Sequence, residues 1–258
     1  MKISVIVATY NRPDALKLVL QSLESQDDKG FEVVIADDGS RSPTKKLVNE
    51  FKRKSHLAIN HIWHKDLGFR LAAIRNLAIK ESAGDYLIFL DGDCIVQPDF
   101  VSRHRGLIEP GHMVTGGRVL LNEKLTKHLL NLSEWNYQDF KRNILLYRFK
   151  NQVNKFLALY LKFDNYPWRD FRGFVWRRIK GCNLACWKSD ALAIAGFDEK
   201  ITGWGHEDAE FVLRLFKHGV IRKSGSWSTE VLHLYHPPSD PSNAKINEQI
   251  VRQRLETL

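Results

Sequence analysis

Residues 86–93 read Tyr-Leu-Ile-Phe-Leu-Asp-Gly-Asp, and this octet decides the fold class. Tyr86–Leu90 is a short, uninterrupted apolar run, the pattern of a strand buried on both faces. Asp91-Gly92-Asp93 follows at its carboxyl end. Working upstream, Leu71, Ala78 and neighbouring apolar residues predict a helix, and Leu57–Trp63 a strand before it. Phe31–Ala36 predicts another strand, ending in the turn Asp37-Asp38-Gly39-Ser40. Ile3–Val7 predicts the first strand. Pro13 stands at a helix start, with Leu16, Val19, Leu20 and Leu23 following at helical spacing. Strands alternating with helices imply right-handed crossovers and a largely parallel sheet. Ligands of such sheets bind beyond the carboxyl ends of the strands. Thr9–Arg12, Asp37–Ser40 and Asp91–Asp93 all lie at those ends, so three strand exits are expected to face one crevice.

Downstream the pattern breaks. Residues 122–178 are rich in aromatics, and Phe149, Val153, Phe156 and Tyr160 fall on one side of a predicted helix. A glycine-punctuated stretch from Gly181 to Gly205 follows. An amphipathic helix is expected from about Asp208 to His218, then a strand over Glu230–Tyr235 and a polar C-terminal helix. The 258 residues suit one α/β domain with an insertion. Residues 1–120 and 180–258 form its two halves, and 121–179 the basic, aromatic, helical insertion.

The composition, 43% hydrophobic and 27% charged, is that of an ordinary soluble protein. The net charge of +9 is concentrated in Lys141–Lys180. Lys141, Arg142, Arg148, Lys150, Lys155, Lys162, Arg169, Arg172, Arg177, Arg178 and Lys180 there face only Asp164 and Asp170, so this segment carries the whole excess. An anionic partner is expected to meet it: a membrane surface or an anionic acceptor glycan. The plain alternative is a solvated basic face over an aromatic core. No run approaches the roughly 18–20 apolar residues of a membrane span, and Met1–Ser4 does not resemble a signal peptide. Cys94, Cys182 and Cys186 make no paired framework and no zinc spacing, so a reducing cytoplasm is expected.

Two carboxylates one residue apart at a strand exit can point toward one hard cation, and Gly92 lets the backbone come close. Such an ion can bridge the phosphates of a nucleoside diphosphate and neutralise charge as it leaves. In isolation, Asp-Gly-Asp more often describes a solvated turn; its place behind a buried strand reverses that preference. Asp37-Asp38 stands at a second exit, where a carboxylate can accept the ring N–H of uracil. Trp204-Gly205-His206-Glu207-Asp208 sets two acids at a helix start, where negative charge is favoured. A carboxylate against the Trp204 wall suits a general base, and helix capping by Asp208 is the structural alternative. In His233-Leu234-Tyr235-His236, strand alternation would send the two histidines to opposite faces.

These residues resemble glycosyltransferase family 2. The opening Ile3–Arg12, the Ala36–Ser40 turn and Leu90-Asp91-Gly92-Asp93 match that family in order and spacing. Gly68–Asn76 resembles chondroitin-polymerase-like members. Gly181-Cys182-Asn183 through Gly196-Phe197-Asp198 to Trp204–Asp208 is similar to β-1,4-galactosyltransferases and polypeptide N-acetylgalactosaminyltransferases. The resemblance implies a GT-A fold, Rossmann-like, with a mostly parallel central sheet, flanking helices and a helical insertion. It implies donor-site roles for Thr9, Tyr10, Asn11, Arg12, Asp37, Asp38, Arg75, Asp91, Gly92, Gly181, Asn183 and Trp204. Asp91, Asp93 and His236 would hold Mn2+ or Mg2+, and Asp208 would be the catalytic base. Glu207 would bind hydroxyls of the acceptor or donor sugar. Ala209 stands where the galactosyltransferase pattern has a further acid, which leaves the acceptor sugar open.

The activity so implied is inverting transfer of a hexose or N-acetylhexosamine from a UDP-sugar to a glycan hydroxyl. The acceptor would be a free or lipid-linked glycan of bacterial surface polysaccharide or lipopolysaccharide synthesis. The enzyme would be cytoplasmic, or peripheral on the inner face of the membrane. Two readings compete. A sugar nucleotidyltransferase would want a Gly-rich basic loop after the first strand, which Thr9–Pro13 lacks. A non-enzymatic nucleic-acid reader would leave Asp91, Asp93, Glu207 and Asp208 unexplained, so no nucleic acid is expected.

Overall fold

The computed structural model describes residues 1–171, 173–176 and 179–256; Arg172, Arg177 and Arg178 of the basic segment lie outside the described residues. The first half runs β1 (Ile3–Thr9), α1 (Pro13–Glu24), β2 (Phe31–Asp37), α2 (Ser42–Lys54), β3 (Ile59–Trp63), α3 (Leu71–Glu81), β4 (Tyr86–Asp91), β5 (Cys94–Ile95), α4 (Phe100–Leu107), β6 (His112–Thr115) and β7 (Arg118–Leu120). The rest runs α5 (Glu123–Leu130), α6 (Tyr137–Arg142), α7 (Ile144–Phe149), β8 (Asp170–Phe171), β9 (Asn183–Trp187), α8 (Lys188–Ala193), α9 (Glu207–Lys217), β10 (Ile221–Ser224), β11 (Val231–His233) and α10 (Ala244–Leu255).

Every residue of β1 is buried, and its two faces feed different cores. Ile3, Val5 and Val7 meet Leu16, Val19, Leu20 and Leu23 of α1, the stripe expected from their spacing. Ile6 on the opposite face joins Ala72 and Ile74 of α3 and Phe211 and Val212 of α9. Helices therefore cover both faces of the sheet, which is why its central strands are continuously apolar.

The main sheet has the order β3-β2-β1-β4-β9-β6-β10-β8. Six of these strands run one way, and β9 and β8 run against them. A smaller sheet, β5-β11-β7, stands beside it. Its Ile95, Val119 and Leu232, with Leu234 just beyond β11, form a third core with Leu125, Phe140 and Ile144, so α5 to α7 sit on this small sheet.

Two expectations are corrected here. The third strand begins at Ile59, two residues after Leu57. Phe149, Val153, Phe156 and Tyr160 do not share a helix: α7 ends at Phe149, and only a 3-10 turn, Leu157–Leu159, follows. Asn151 adopts φ 53°, a left-handed conformation that asparagine tolerates. The Gln152 carbonyl then accepts the Asn122 N–H at 2.9 Å, and Val153 bridges to Leu121. Pairing with a distant segment outcompetes the helical period.

Candidate active site

Strand register aligns the exits. Thr9 lies opposite Asp37, and Ala8 opposite Asp91, so the three polar clusters leave the sheet at one level. Above them opens a cleft of about 450 Å³, lined by Thr9, Tyr10, Arg12, Asp38, Asp91, Gly92, Asp93, Trp204, Glu207 and His236, with Phe69, Leu71 and Ser239. Gly92 is dictated by close approach. Its N–H donates to the Ala8 carbonyl at 2.6 Å, and a Cβ there would stand 2.8 Å from that oxygen. The turn that presents Asp91 and Asp93 therefore lies directly on the end of β1.

Asp93 gathers ligand-type atoms. His233 Nε2 stands 3.8 Å from its Oδ1, and His236 Nε2 3.7 Å from its Oδ2. The Asp93 carboxylate, the Cys94 thiol and the His233 ring lie within 4.8 Å of one another. Burial pushes the Cys94 thiol well up, so the neutral thiol is favoured there, and lowers His233, favouring its metal-binding neutral ring. A carboxylate with two imidazoles is a donor set that fits a divalent cation. Arg12, 3.4 Å from Asp93 Oδ2, occupies part of that ligand field.

The two histidines are the second correction to strand-based expectation. They face the same carboxylate because β11 ends at His233, and alternation ends with it. Leu234 N–H then donates to the Asp93 carbonyl at 2.9 Å and Tyr235 N–H to Thr126 Oγ1 at 2.8 Å, turning the chain before Pro237. His233, which strand alternation points away from His236, thus also stands beside Asp93; Pro237-Pro238, which cannot continue a central strand, is the sequence signal for it.

Arg75 forms the floor between Asp91 and Glu207. Its side chain is 1% exposed; Nη2 donates to Asp91 Oδ1 at 2.9 Å and to the Gly181 carbonyl at 3.3 Å, and Nη1 stands 3.6 Å from Glu207 Oε1. Arg75 Nε and Nη1 have no hydrogen-bond partner. Although part of the Asp91 side chain meets solvent, its place among protein atoms pushes the carboxyl up to about 6, against the pull of Arg75. Glu207 is pushed up to about 7, by burial first and then by the neighbouring Asp208 charge.

Glu207 opens α9, so Asp208 is the second helical residue and not the cap; the N-cap is His206, at φ 72° with no side-chain capping bond. Asp208 lies behind Glu207, its Oδ2 accepting the Gly181 N–H at 2.7 Å and its Oδ1 the Ala209 N–H at 2.7 Å. A Cβ on Gly181 would come within 3.0 Å of Asp208 Cβ and 3.3 Å of Arg75 Nη1, so a side chain there would press on both.

Other expected donor-site residues are placed differently. Asp38 lines the cleft, its Oδ1 2.5 Å from His64 Nε2 and its Oδ2 accepting the Arg70 N–H at 2.9 Å; burial raises its carboxyl. Tyr10 and Trp204 are half exposed on the cleft walls, with Tyr10 Oη donating to Asp66 at 3.0 Å. Asp37 turns inward to the Ser40 N–H and His61. Asn11 ties two exits together, its N–H donating to Ser40 Oγ and its Oδ1 accepting the Arg41 N–H. Asn183 is wholly buried, donating to the Gly117 and Thr229 carbonyls, with its Oδ1 3.1 Å from His104 Nε2. Asp37 and Asn183 are thus wholly buried and bound to protein groups, outside the cleft lining.

A model described as glycosyl transferase family 2 matches residues 4–164, and one described as the N-terminal domain of galactosyltransferase matches residues 167–237. Chondroitin synthase of Escherichia coli is 29% identical over 98% of this chain and 38% of its own length. Validoxylamine A glucosyltransferase of Streptomyces hygroscopicus subsp. jinggangensis (strain 5008) is 29% identical over 97% and 60%. The chain thus spans less than two thirds of the length of these relatives. Among solved structures, S. aureus TarS superposes with a TM-score of 0.63 at 17% identity, over 99% of this chain and 40% of that one. Mannosyltransferase PcManGT from Pyrobaculum calidifontis, in complex with GDP-Man and Mn2+, gives 0.60 at 17% over 98% and 61%. With more than half of its residues matched by that family's model, the chain belongs to glycosyl transferase family 2, and its fold is GT-A.

Proposed function

We propose that the protein transfers a hexose or N-acetylhexosamine from a UDP-sugar to a glycan hydroxyl with inversion, using a bound divalent metal. One observation carries this reading: a single cleft holds both the Asp93–His236 pair at the β4 exit and Glu207 at the start of α9, with Asp208 directly behind. Family membership supports the reaction class, and the S. aureus TarS complex with UDP-GlcNAc supports the donor class by analogy of fold.

In this account Thr9, Tyr10 and Asp38 receive the base of the donor, while Asp93 and His236, with His233 or Asp91, hold the metal. When bound, the metal supplies charge neutralisation to the departing diphosphate. Arg12, beside Asp93, adds a second cation on that side. Asp208 takes the proton of the acceptor hydroxyl as that oxygen attacks the anomeric carbon and the bond to the diphosphate breaks. One displacement inverts the centre. Glu207, titrating near neutrality on the cleft wall, hydrogen-bonds a sugar hydroxyl.

A second assignment of the base has a specific observation behind it. Glu207 lines the cleft and Asp208 does not, and a carboxyl near 7 suits proton abstraction at neutral pH. Asp208→Asn and Glu207→Gln separate the two. The reaction itself is tested by UDP release from UDP-glucose, UDP-galactose and their N-acetylamino counterparts, with and without manganese. Manganese-dependent release from at least one donor supports the reading; none from any of the four contradicts it.

A further inference from the structure

Between Asp139 and Asp164 the chain has no acid but six basic residues: Lys141, Arg142, Arg148, Lys150, Lys155 and Lys162. The first three lie on α6 and α7, and Lys150 follows directly. One side of α7 is fixed: Ile144 is buried, and the Tyr147 ring packs 5.5 Å from that of Phe140. Its other side is bare. Leu145 is 64% exposed, Leu146 47% and Phe149 87%. Arg142 pairs with Asp139 at 3.1 Å, but the contacts of its neighbours leave their charge in place: Arg148 donates to Asn151, and Lys141 stands over the Tyr160 ring at 4.6 Å.

We infer that this face docks on an anionic lipid membrane, with Leu145, Leu146 and Phe149 entering the acyl boundary. Lys141, Arg148 and Lys150 meet the headgroups. Charge and chemistry favour this occupant over the others. Lysine is depleted from the cores of protein interfaces, whereas a lysine beside an inserted apolar residue keeps its ammonium at the lipid surface. A glycan would need hydrogen-bonding groups in the contact, and the three outward side chains offer none. None of these residues lines the cleft, so the surface is independent of the sugar-transfer chemistry.

Co-sedimentation of the chain with two vesicle types tests the inference: phosphatidylcholine alone, and equal parts phosphatidylcholine and phosphatidylglycerol. The chain is expected to bind the mixed vesicles, with affinity falling as salt rises, and to bind phosphatidylcholine about tenfold more weakly. Phe149→Ser, and separately the double change Arg148→Glu with Lys150→Glu, should each lower partitioning about tenfold. Phe149→Trp should retain it. Because Phe149 is so exposed, its variants should keep the wild-type melting temperature, which excludes misfolding as the cause. Failure to bind mixed vesicles, or equal binding by Phe149→Ser, overturns the inference. So does a Phe149→Ser variant that instead loses self-association, or loses binding to a soluble anionic polysaccharide while vesicle binding stays intact.

Discussion

Arg75 donates to Asp91 across 2.9 Å from a side chain that is only 1% exposed. Its other nitrogen approaches Glu207, so one buried cation opposes, without cancelling, the upward shift that burial gives two carboxylates. Removing one partner of a buried ion pair leaves an uncompensated charge, costing about 3–5 kcal/mol. Arg75→Gln should therefore lower unfolding free energy on that scale and depress turnover. Arg75→Lys keeps the charge but cannot span both acids, and should restore stability more than activity. Denaturant titration beside initial rates makes the comparison.

Glu207 gives a pH signature. Its carboxyl is raised from 4.5 to about 7, so between those values the folded chain holds a proton the unfolded chain has released. The stability this provides is fully present below about pH 4.5 and is lost as pH rises through 7. Glu207→Gln should remove that slope, gaining on the wild type as pH climbs from 5 to 8 by up to about 3 kcal/mol. Thermal unfolding across that range measures it. If Glu207 rather than Asp208 is the base, the same variant also loses the acidic limb of the rate profile near 7.

His104 acts in the opposite direction. Burial lowers its ring from 6.5 to about 4, and it faces Asn183 Oδ1 at 3.1 Å. The stability from the neutral ring is complete above 6.5 and lost as pH falls through 4. About 3 kcal/mol should disappear over that interval. His104→Gln, which retains a donor for Asn183, should flatten the acid limb of a stability profile.

The histidine pair on Asp93 makes a metal prediction. Loss of a single ligand should raise the manganese concentration for half-maximal activity by more than the roughly 10–100-fold that loss of an outer-shell partner costs. His236→Gln and His233→Gln are both expected to show this, and Asp93→Asn to abolish manganese dependence together with activity. Unchanged metal titration in His233→Gln would limit that residue to supporting Asp93.

Much of the fold is legible in the sequence. The apolar runs ending in Asp37 and Asp91 place two strand exits, and register makes them level. Long-range pairing was not legible. The spacing of Phe149, Val153, Phe156 and Tyr160 mimics a helix, yet the segment pairs with Leu121 and Asn122. His233 and His236 obey strand alternation only while the strand lasts, and it ends at His233. Asn183 sits in a motif of the right composition, but its side chain is consumed by His104, Gly117 and Thr229, contacts between segments far apart in sequence. Arg75 as a bridge between Asp91 and Glu207 depends on a third-dimensional meeting that no local period encodes.

The central claim is that the acid behind Glu207 takes the acceptor proton in the cleft where the donor binds. Acceptor-dependent UDP release by Asp208→Asn, with UDP binding followed by calorimetry in manganese, tests it most directly. Turnover should fall by about two to four orders of magnitude while UDP affinity stays near wild type. Near-normal turnover in that variant would contradict the account.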